Sequence, residues 1–164
     1  MEIILASNSP RRKKILSELG YKFIVIPSGV NEENKDNLLP EKYVLDVCER
    51  KGFSVWKKHK DYAVISGDTI IDFNNIIIGK PKSDQEAFNI IKKLSGKKHY
   101  VISALSLIID GNINTIVDKS SVVFNNLKDI DINEYISSFD VLDKAGAYNI
   151  EECGNILIKK IDGC

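Results

Sequence analysis

Residues 3–16 read IILASNSPRRKKIL and hold, in order, a short apolar run, a turn of small polar residues and the start of a helix. The run Ile3–Leu5 predicts a strand. Ser9 followed by Pro10 predicts a helix with a serine N-cap and with proline at its first position. A strand that enters a helix through so short a turn is typical of an α/β fold, and the rest of the chain is interpreted from this unit.

The predicted helix begins with four cations, residues 11–14. Cations in a first helical turn are disfavoured by roughly 0.3–1 kcal/mol each, because the helix dipole is positive there. Free N–H groups at a helix start, together with Arg11 and Arg12, therefore predict a site for an anion, with phosphate the best candidate. The alternative is an ordinary helix with a solvated basic face.

Length and charge exclude several classes of protein. The 164 residues suit one domain, and Lys plus Arg equal Asp plus Glu at 23 each, so bulk attraction to nucleic acid or to an anionic membrane is not indicated. No apolar run approaches the roughly 20 residues of a membrane span, and the N-terminus lacks a signal-peptide layout. Three cysteines without CxxC spacing argue against disulfides or structural zinc, so we expect a cytoplasmic protein.

Apolar periodicity and turn signals predict alternating strands and helices along the chain. We predict strands at 3–5, 22–26, 63–66, 70–73, 76–78, 101–109, 112–124 and 155–161. We predict helices from Pro10 to Leu19, at 41–58, from Ser83 to Leu94 and at 132–139, and the third of them is predicted to begin with a capping box at 83–86. Asn74-Asn75 and Asp110-Gly111 are predicted hairpin turns. Residues 27–40 are predicted to form a polar loop, and 143–148 an irregular segment.

Several charged residues are candidates for a site. Glu32 and Glu33 lie in the polar loop and are either cation ligands or solvated charges. Lys51 falls on the apolar stripe of its helix, four residues from both Val47 and Val55, so its ammonium must either reach solvent or meet an anion.

The predicted strand 63–66 runs into Gly67-Asp68-Thr69, so Asp68 lies just past a strand, which is where open α/β sheets place their ligands. Lys80 is held between Gly79 and Pro81, without the remaining residues of a P-loop. The two histidines form no metal pair or triad, and His99 is more readily a structural residue. Phosphate-binding cations with a few carboxylates describe metal-assisted phosphoanhydride hydrolysis, for which Mg²⁺ suits because substrate phosphates complete its ligands.

Five segments together carry a resemblance to a known family. They are LASNSPRRKKIL at 5–16, SGDTI at 66–70, IIGKP at 77–81, LSGKKHYVIS at 94–103 and DKAGAYNI at 143–150. In this order and spacing the chain resembles the Maf-like nucleotide pyrophosphatases, also called septum-formation-inhibitor-like proteins. The resemblance implies an α/β fold like that of inosine triphosphatase, with a long mixed, twisted sheet flanked by helices and two lobes around a central nucleotide cleft.

The resemblance also implies an activity: metal-dependent cleavage of a nucleoside triphosphate, with Mg²⁺ or Mn²⁺, to a monophosphate and pyrophosphate. Asp68 matches the family's catalytic acidic residue, which accepts a proton from water, and Glu32 matches an acidic position near the metal, which Asp68 also contacts. The phosphate-contacting positions are matched by Ser7, Arg11, Arg12, Lys51 and Lys80. Arg11 and Thr69 resemble the branch that prefers dTTP and UTP, not the branch associated with 7-methyl-GTP.

Two departures from the family pattern bear on function. Glu151 stands where the family has a substrate-binding glutamine, and an ionised glutamate only accepts hydrogen bonds whereas glutamine also donates them. The family usually continues past residues 162–163 with a Gly-Leu-Pro turn and a terminal helix, so we expect the single domain 1–164 to lack that segment.

Three functional hypotheses follow from the sequence. The first is a dTTP/UTP pyrophosphatase, and the second is a nucleotide-binding regulator of cell division whose catalysis is impaired. A nucleic-acid-binding module is disfavoured, because the charge is balanced and no platform of basic and aromatic residues is evident. We expect a nucleoside triphosphate partner, with neither nucleic acid nor membrane. The sequence does not fix the oligomeric state, and a homodimer is among the options.

Overall fold

The computed structural model describes residues 1–34 and 36–163, and only the backbone of residues 153–155. Its strands are β1 (Ile3–Leu5), β2 (Phe23–Val25), β3 (Ala63–Phe73), β4 (Ile76–Ile78), β5 (Lys98–Ile109), β6 (Asn112–Phe124) and β7 (Ile158–Asp162). Its helices are α1 (Pro10–Glu18), α2 (Pro40–Trp56), α3 (Asp84–Leu94), α4 (Asp129–Ser138) and α5 (Ile150–Leu157), with a short 3₁₀ turn at Ala145–Ala147.

The strands form one mixed sheet in the order β2-β1-β3-β5-β6-β7, and β4 also pairs with β3. β1 lies parallel to both β2 and β3, whereas β4 on β3 and β7 on β6 are antiparallel pairs. The predicted class, a long mixed sheet flanked by helices, is confirmed.

Local signals set most of the helix ends. Ser9 accepts a hydrogen bond from the N–H of Arg12, and Pro10 opens α1 as predicted. Gly20, with φ of 81°, ends α1 in a Schellman turn, because its N–H donates to the carbonyl of Ser17 and that of Tyr21 to the carbonyl of Leu16.

Helix α3 begins with one of the two hydrogen bonds of a capping box. The Ser83 hydroxyl accepts from the N–H of Glu86. The Glu86 carboxylate accepts from the N–H of Lys82 and not from that of Ser83.

The chain divides into two compact units. The first comprises Met1–Asp68 and Ser103–Val117, and the second comprises Thr69–Ile102 and the residues from Asp118 onward. The first has a small apolar core between α2 and the sheet, made of Ile4, Ala6, Val55, Val64 and Ile108. The second has a larger core in which α3 and α4 are represented by Ile91, Leu94, Ile132 and Tyr135. The prediction of a single domain over 1–164 stays a prediction.

Two expectations about the elements were wrong. Residues 63–66 and 70–73 are not separate extended segments, because β3 runs without a break from Ala63 to Phe73. The last strand does not begin at 155, because helix α5 occupies Ile150–Leu157 and β7 begins at Ile158.

Both predicted hairpin turns are confirmed, with positive φ at Asn74 and Asn75 and at Asp110 and Gly111. No helix among the described residues is long and apolar enough to cross a membrane.

Candidate active site in the first unit

The side chain of Arg12 lies back over the start of its own helix and contacts the turn between β1 and α1. Nη1 of Arg12 donates to Oγ of the buried Ser7 at 3.0 Å, and Ser7 also accepts from the N–H of Ser9 at 3.2 Å. The N–H of Arg12 lies 3.5 Å from Oγ of Ser9. The helix start predicted to bind an anion therefore contains an ordered guanidinium, while the backbone N–H groups of Ser9 and Arg12 already bond to the hydroxyls of Ser7 and Ser9.

Gly67 allows the Arg12 guanidinium to lie against β3. A Cβ at this position would lie 3.0 Å from Nε of Arg12 and 3.2 Å from the carbonyl oxygen of Ala104. Burial lowers the pKa of Arg12 from its ordinary value, and the negative charge of Asp68 acts in the opposite direction. An arginine stays protonated under such conditions, so Arg12 supplies a fixed positive charge beside Asp68.

Lys51 is the centre of the site. Its Nζ donates to Oδ1 of Asp68 at 2.7 Å and lies 2.8 Å from Oε1 of Glu32. The side chains of Lys51 and Asp68 are only 11% and 10% exposed, whereas that of Glu32 is 52% exposed. Of the two outcomes predicted for a lysine on the apolar stripe of α2, the structure shows the pairing with anions.

Asp68 lies within β3. The expectation from the sequence, that Asp68 follows the end of a strand, was wrong. The strand continues because Ile71–Phe73 pair with β4, beyond the site. Burial raises the pKa of the Asp68 carboxyl, and the positive charge and hydrogen bond of Lys51 oppose that shift. A buried carboxylate whose pKa is raised, next to a lysine, is a candidate general base.

One face of α2 holds the backbone of the polar loop, a feature that the sequence analysis missed. Ser54, Arg50 and Tyr43 donate hydrogen bonds to the backbone carbonyls of Ser28, Asn31 and Glu32, respectively. We call these three donors the carbonyl-binding face of α2. Their spacing of seven and four residues was the available signal, because it places them on one side of the helix. They deliver the Glu32 carboxylate to Lys51.

Two carboxylates that converge on one cation suit a divalent metal. The Lys51 ammonium stands between Glu32 and Asp68, so this region already accommodates positive charge. Two carboxylates fit Mg²⁺, which usually takes its other ligands from water and substrate phosphates. Among the described residues, no cluster of three or more His, Cys, Asp or Glu side chains is suited to holding a metal.

Other predicted site residues are distributed over both units. Arg11 is exposed on α1 in the first unit. In the second unit, Thr69 is half-buried in β3, Lys80 is exposed after β4, and Glu151 is exposed in the first turn of α5. The approach of Thr69, Lys80 and Glu151 to the first-unit residues stays a prediction. Lys144, a cation of the second unit within the segment 143–150, is ion-paired with Asp143 at 3.4 Å and with Glu152 at 3.2 Å.

Comparison with known proteins decides the family. The family model described as Maf-like protein matches residues 2–164. The chain belongs to the Maf-like protein family. Proteins named dTTP/UTP pyrophosphatase from Aquifex aeolicus and from Thermosipho melanesiensis are each 42% identical to this Maf-like chain over 99% of its length, covering 85% and 87% of their own lengths. A third, from Bacillus velezensis, is 39% identical over 98% of this chain and 85% of its own.

The fold of this Maf-like chain has a solved counterpart. The structure of the Staphylococcus aureus Ham1 protein aligns with a TM-score of 0.50 and 18% sequence identity, over 94% of this chain and 90% of that one. At this level of identity the likeness concerns the fold alone.

Proposed function

We propose that this Maf-like chain is a metal-dependent nucleoside triphosphate pyrophosphatase that converts dTTP or UTP into the monophosphate and pyrophosphate. The observation that carries the proposal is the ion-paired set of Lys51, Asp68 and Glu32, with Nζ of Lys51 at 2.7 and 2.8 Å from the two carboxylates. The names of the curated relatives support the reaction and the substrates.

Phosphate binding is assigned to the start of α1 and to the cations around it. Ser7 holds the Arg12 guanidinium at 3.0 Å, so this cation is ordered before a nucleotide arrives. A guanidinium offers paired N–H donors that match two phosphate oxygens. Arg11, Lys51 and Lys80 would add positive charge along the triphosphate and stabilise the charge that develops on departing pyrophosphate.

Asp68 is proposed to activate water. Burial raises the pKa of this carboxyl and makes it a stronger base than an exposed aspartate. In the reaction Asp68 takes a proton from water, the water oxygen bonds to phosphorus, and the bridging P–O bond between the α and β phosphates breaks. The electron pair of that bond leaves with pyrophosphate.

Glu32 and Asp68 are the residues that would hold a divalent cation, Mg²⁺ or Mn²⁺. Such an ion, when bound, neutralises charge on the phosphate oxygens and polarises the phosphorus toward attack. The carbonyl-binding face of α2 supports this role, because it fixes the loop backbone at Glu32 while leaving the carboxylate at the surface of the site.

Substrate choice and location in the cell are further parts of the proposal. Arg11 and Thr69 follow the pattern of the dTTP/UTP branch, and the relatives named for these nucleotides support that preference. Glu151 would contact the substrate in place of the family's glutamine. A nucleotide-metabolising protein with scattered cysteines is proposed to work in the cytoplasm.

A pyrophosphate-release assay tests the proposal. The full chain is incubated with dTTP, UTP, CTP or 7-methyl-GTP, with Mg²⁺ or Mn²⁺ and with EDTA. We expect turnover of dTTP and UTP that requires the divalent cation. Asp68→Asn should lower kcat by about 10²–10⁴-fold, as expected for loss of a general base, with nucleotide binding preserved.

Asp72→Asn is the matched control, since Asp72 lies on the same strand. Its carboxylate accepts a hydrogen bond from the N–H of Asn75, and the amide oxygen of an asparagine at position 72 can accept the same bond. This variant should keep full activity. Tight nucleotide binding without turnover by the unmodified chain would instead support the regulator, and full activity of Asp68→Asn would remove that residue from the mechanism.

A further inference from the structure

We propose that Lys51 is a built-in counter-cation that keeps divalent metal away from Glu32 and Asp68 until a nucleotide binds. The two carboxylates meet at a single positive group, with Nζ of Lys51 at 2.7 Å from Asp68 and at 2.8 Å from Glu32. The ammonium and a divalent ion would use the same carboxylate oxygens, so the two cations compete for one place.

Burial makes this competition strong. The Lys51 side chain is 11% exposed and that of Asp68 is 10% exposed, so water screens their mutual attraction poorly. Their hydrogen bond is charge-assisted, and such bonds are shorter and stronger than those between neutral groups. An incoming ion would have to displace an ordered partner and not merely bulk water.

The charges of the site support the same order of binding. Arg12 and Lys51 are positive, Glu32 and Asp68 are negative, and the four therefore cancel. A divalent ion added alone would leave this partly buried group with a net charge of two, which is unfavourable in a poorly solvated site. A triphosphate supplies the missing negative charge, and its oxygens are alternative acceptors for the ammonium.

Lys51 is built to change partners. Its ammonium carries three donors on a flexible four-carbon stem, so it can move while the backbone of α2 stays in place. As the ammonium turns to the phosphates, Glu32 and Asp68 lose their counter-cation and become ligands for the ion that accompanies the nucleotide. The divalent ion therefore binds only when a nucleotide binds, because Lys51 occupies the carboxylates before that.

The inference rests on the proposed function only in assuming that a divalent ion takes part, and it is tested with Mn²⁺ alone. Binding of Mn²⁺ to the full chain, without nucleotide, is measured by the electron paramagnetic resonance of the free ion. The wild type should bind weakly. Lys51→Met should bind at least tenfold more tightly, and Lys51→Met combined with Asp68→Asn should lose that gain.

Two control variants test whether Mn²⁺ binding depends on the positive charge at position 51 or only on the net charge of the protein. Lys42→Met removes a positive charge from an exposed position on the same helix and should bind Mn²⁺ as the wild type does. Lys51→Arg keeps a cation at the site and should also resemble the wild type. If Lys51→Met fails to fold, Lys51→Gln replaces it, because the amide keeps a donor for Asp68 without the charge.

Thermal unfolding gives a second measurement. Mn²⁺ should raise the Tm of the neutral Lys51 variant and leave that of the wild type unchanged, since ligands stabilise the state that binds them. Tight Mn²⁺ binding by the wild type, or no gain over Lys42→Met in the Lys51 variant, would overturn the inference. If the inference fails in this way but the wild type releases pyrophosphate, the proposed function still holds. If the neutral Lys51 variant binds Mn²⁺ more tightly but the wild type releases no pyrophosphate, the proposed function is rejected and the inference holds.

Discussion

The phenol of Tyr43 donates a hydrogen bond to the backbone carbonyl of Glu32, eleven residues earlier in the chain. Arg50 makes the equivalent contact one residue before, with Nη1 at 2.6 Å from the carbonyl oxygen of Asn31. A loop fixed on both sides of Glu32 presents its carboxylate to Lys51 in one position. Helix α2 shares this ordering with the loop itself, because the Asn31 side chain accepts from the N–H of Glu33 at 2.9 Å and donates to the Glu33 carboxylate at 3.1 Å.

Tyr43→Phe should weaken the site more than the fold. Loss of one hydrogen bond lowers the free energy of unfolding by about 0.5–1.5 kcal/mol. Misplacement of Glu32 should raise the divalent-ion concentration needed for half-maximal activity by roughly tenfold, since small displacements of catalytic groups have large effects. The measurement is a metal titration of pyrophosphate release. Tyr21→Phe, which alters an exposed phenol, is the control, and equal behaviour of the two variants would contradict the role of Tyr43.

Gly52 sets the distance between α2 and β3, and so the reach of Lys51 to Asp68. A Cβ on Gly52 would lie 2.8 Å from both Cδ1 of Ile108 and Oγ of Ser66, and that hydroxyl is held by its own bond to the carbonyl of Cys48 at 2.8 Å. Overpacking costs typically about 1–3 kcal/mol, against a gain of about 1 kcal/mol from replacing a helical glycine, and two contacts at 2.8 Å favour a net loss.

Gly52→Ala should therefore lower both Tm and kcat, because α2 must move away from the strand that carries Asp68. Gly79→Ala is the steric control for Tm, since a Cβ there meets no atom within 4 Å. Unchanged stability in Gly52→Ala would show that α2 adjusts without displacement.

The sequence predicted features that depend on neighbouring residues. The Ser9 and Ser83 caps and the Asp110-Gly111 turn are decided within four positions, so their signals sit in the sequence itself. The site depends on long-range packing. Asp68 lies inside a strand because β3 finds sheet partners on both sides of it, and no local signal at 66–70 reports those partners.

The same distinction explains what the charges could predict. Lys51 was expected to meet solvent or an anion from its place on the apolar stripe, yet its two anions lie 19 residues before it and 17 after it. Helix α5 did carry a signal: the Asn149 side chain accepts from the N–H of Glu151 and caps the helix, with two glutamates in the first turn.

His99 should make stability depend on pH. It is buried against Tyr148, with Nε2 at 2.7 Å from the phenol oxygen, and burial lowers the pKa of its imidazole to about 4. Between pH 6.5 and about 4 the unfolded chain binds a proton that the folded chain does not, so the free energy of unfolding falls as the pH falls. The full effect approaches roughly 3 kcal/mol.

Denaturant unfolding at pH 7, 6, 5 and 4 measures this contribution. His99→Gln should lack the part of the pH slope that comes from the imidazole. Tyr148→Phe should keep the slope while lowering stability at every pH by about 1 kcal/mol, because the buried imidazole remains and only its hydroxyl partner is lost. An identical slope in wild type and His99→Gln would assign the effect to other groups.

Glu151→Gln should improve the use of dTTP and UTP. Glutamine both donates to and accepts from a base edge, and it removes a negative charge from the neighbourhood proposed for the triphosphate. KM for both nucleotides should fall several-fold, with little change in Tm because Glu151 is exposed. Glu134→Gln, an exposed change on α4, is the matched control. Salt separates the two causes: a charge effect shrinks between about 0.05 and 0.5 M ionic strength, whereas a gain from hydrogen bonding persists. No change in KM at either salt concentration would place Glu151 outside the nucleotide's reach, and its role in substrate choice would then be rejected.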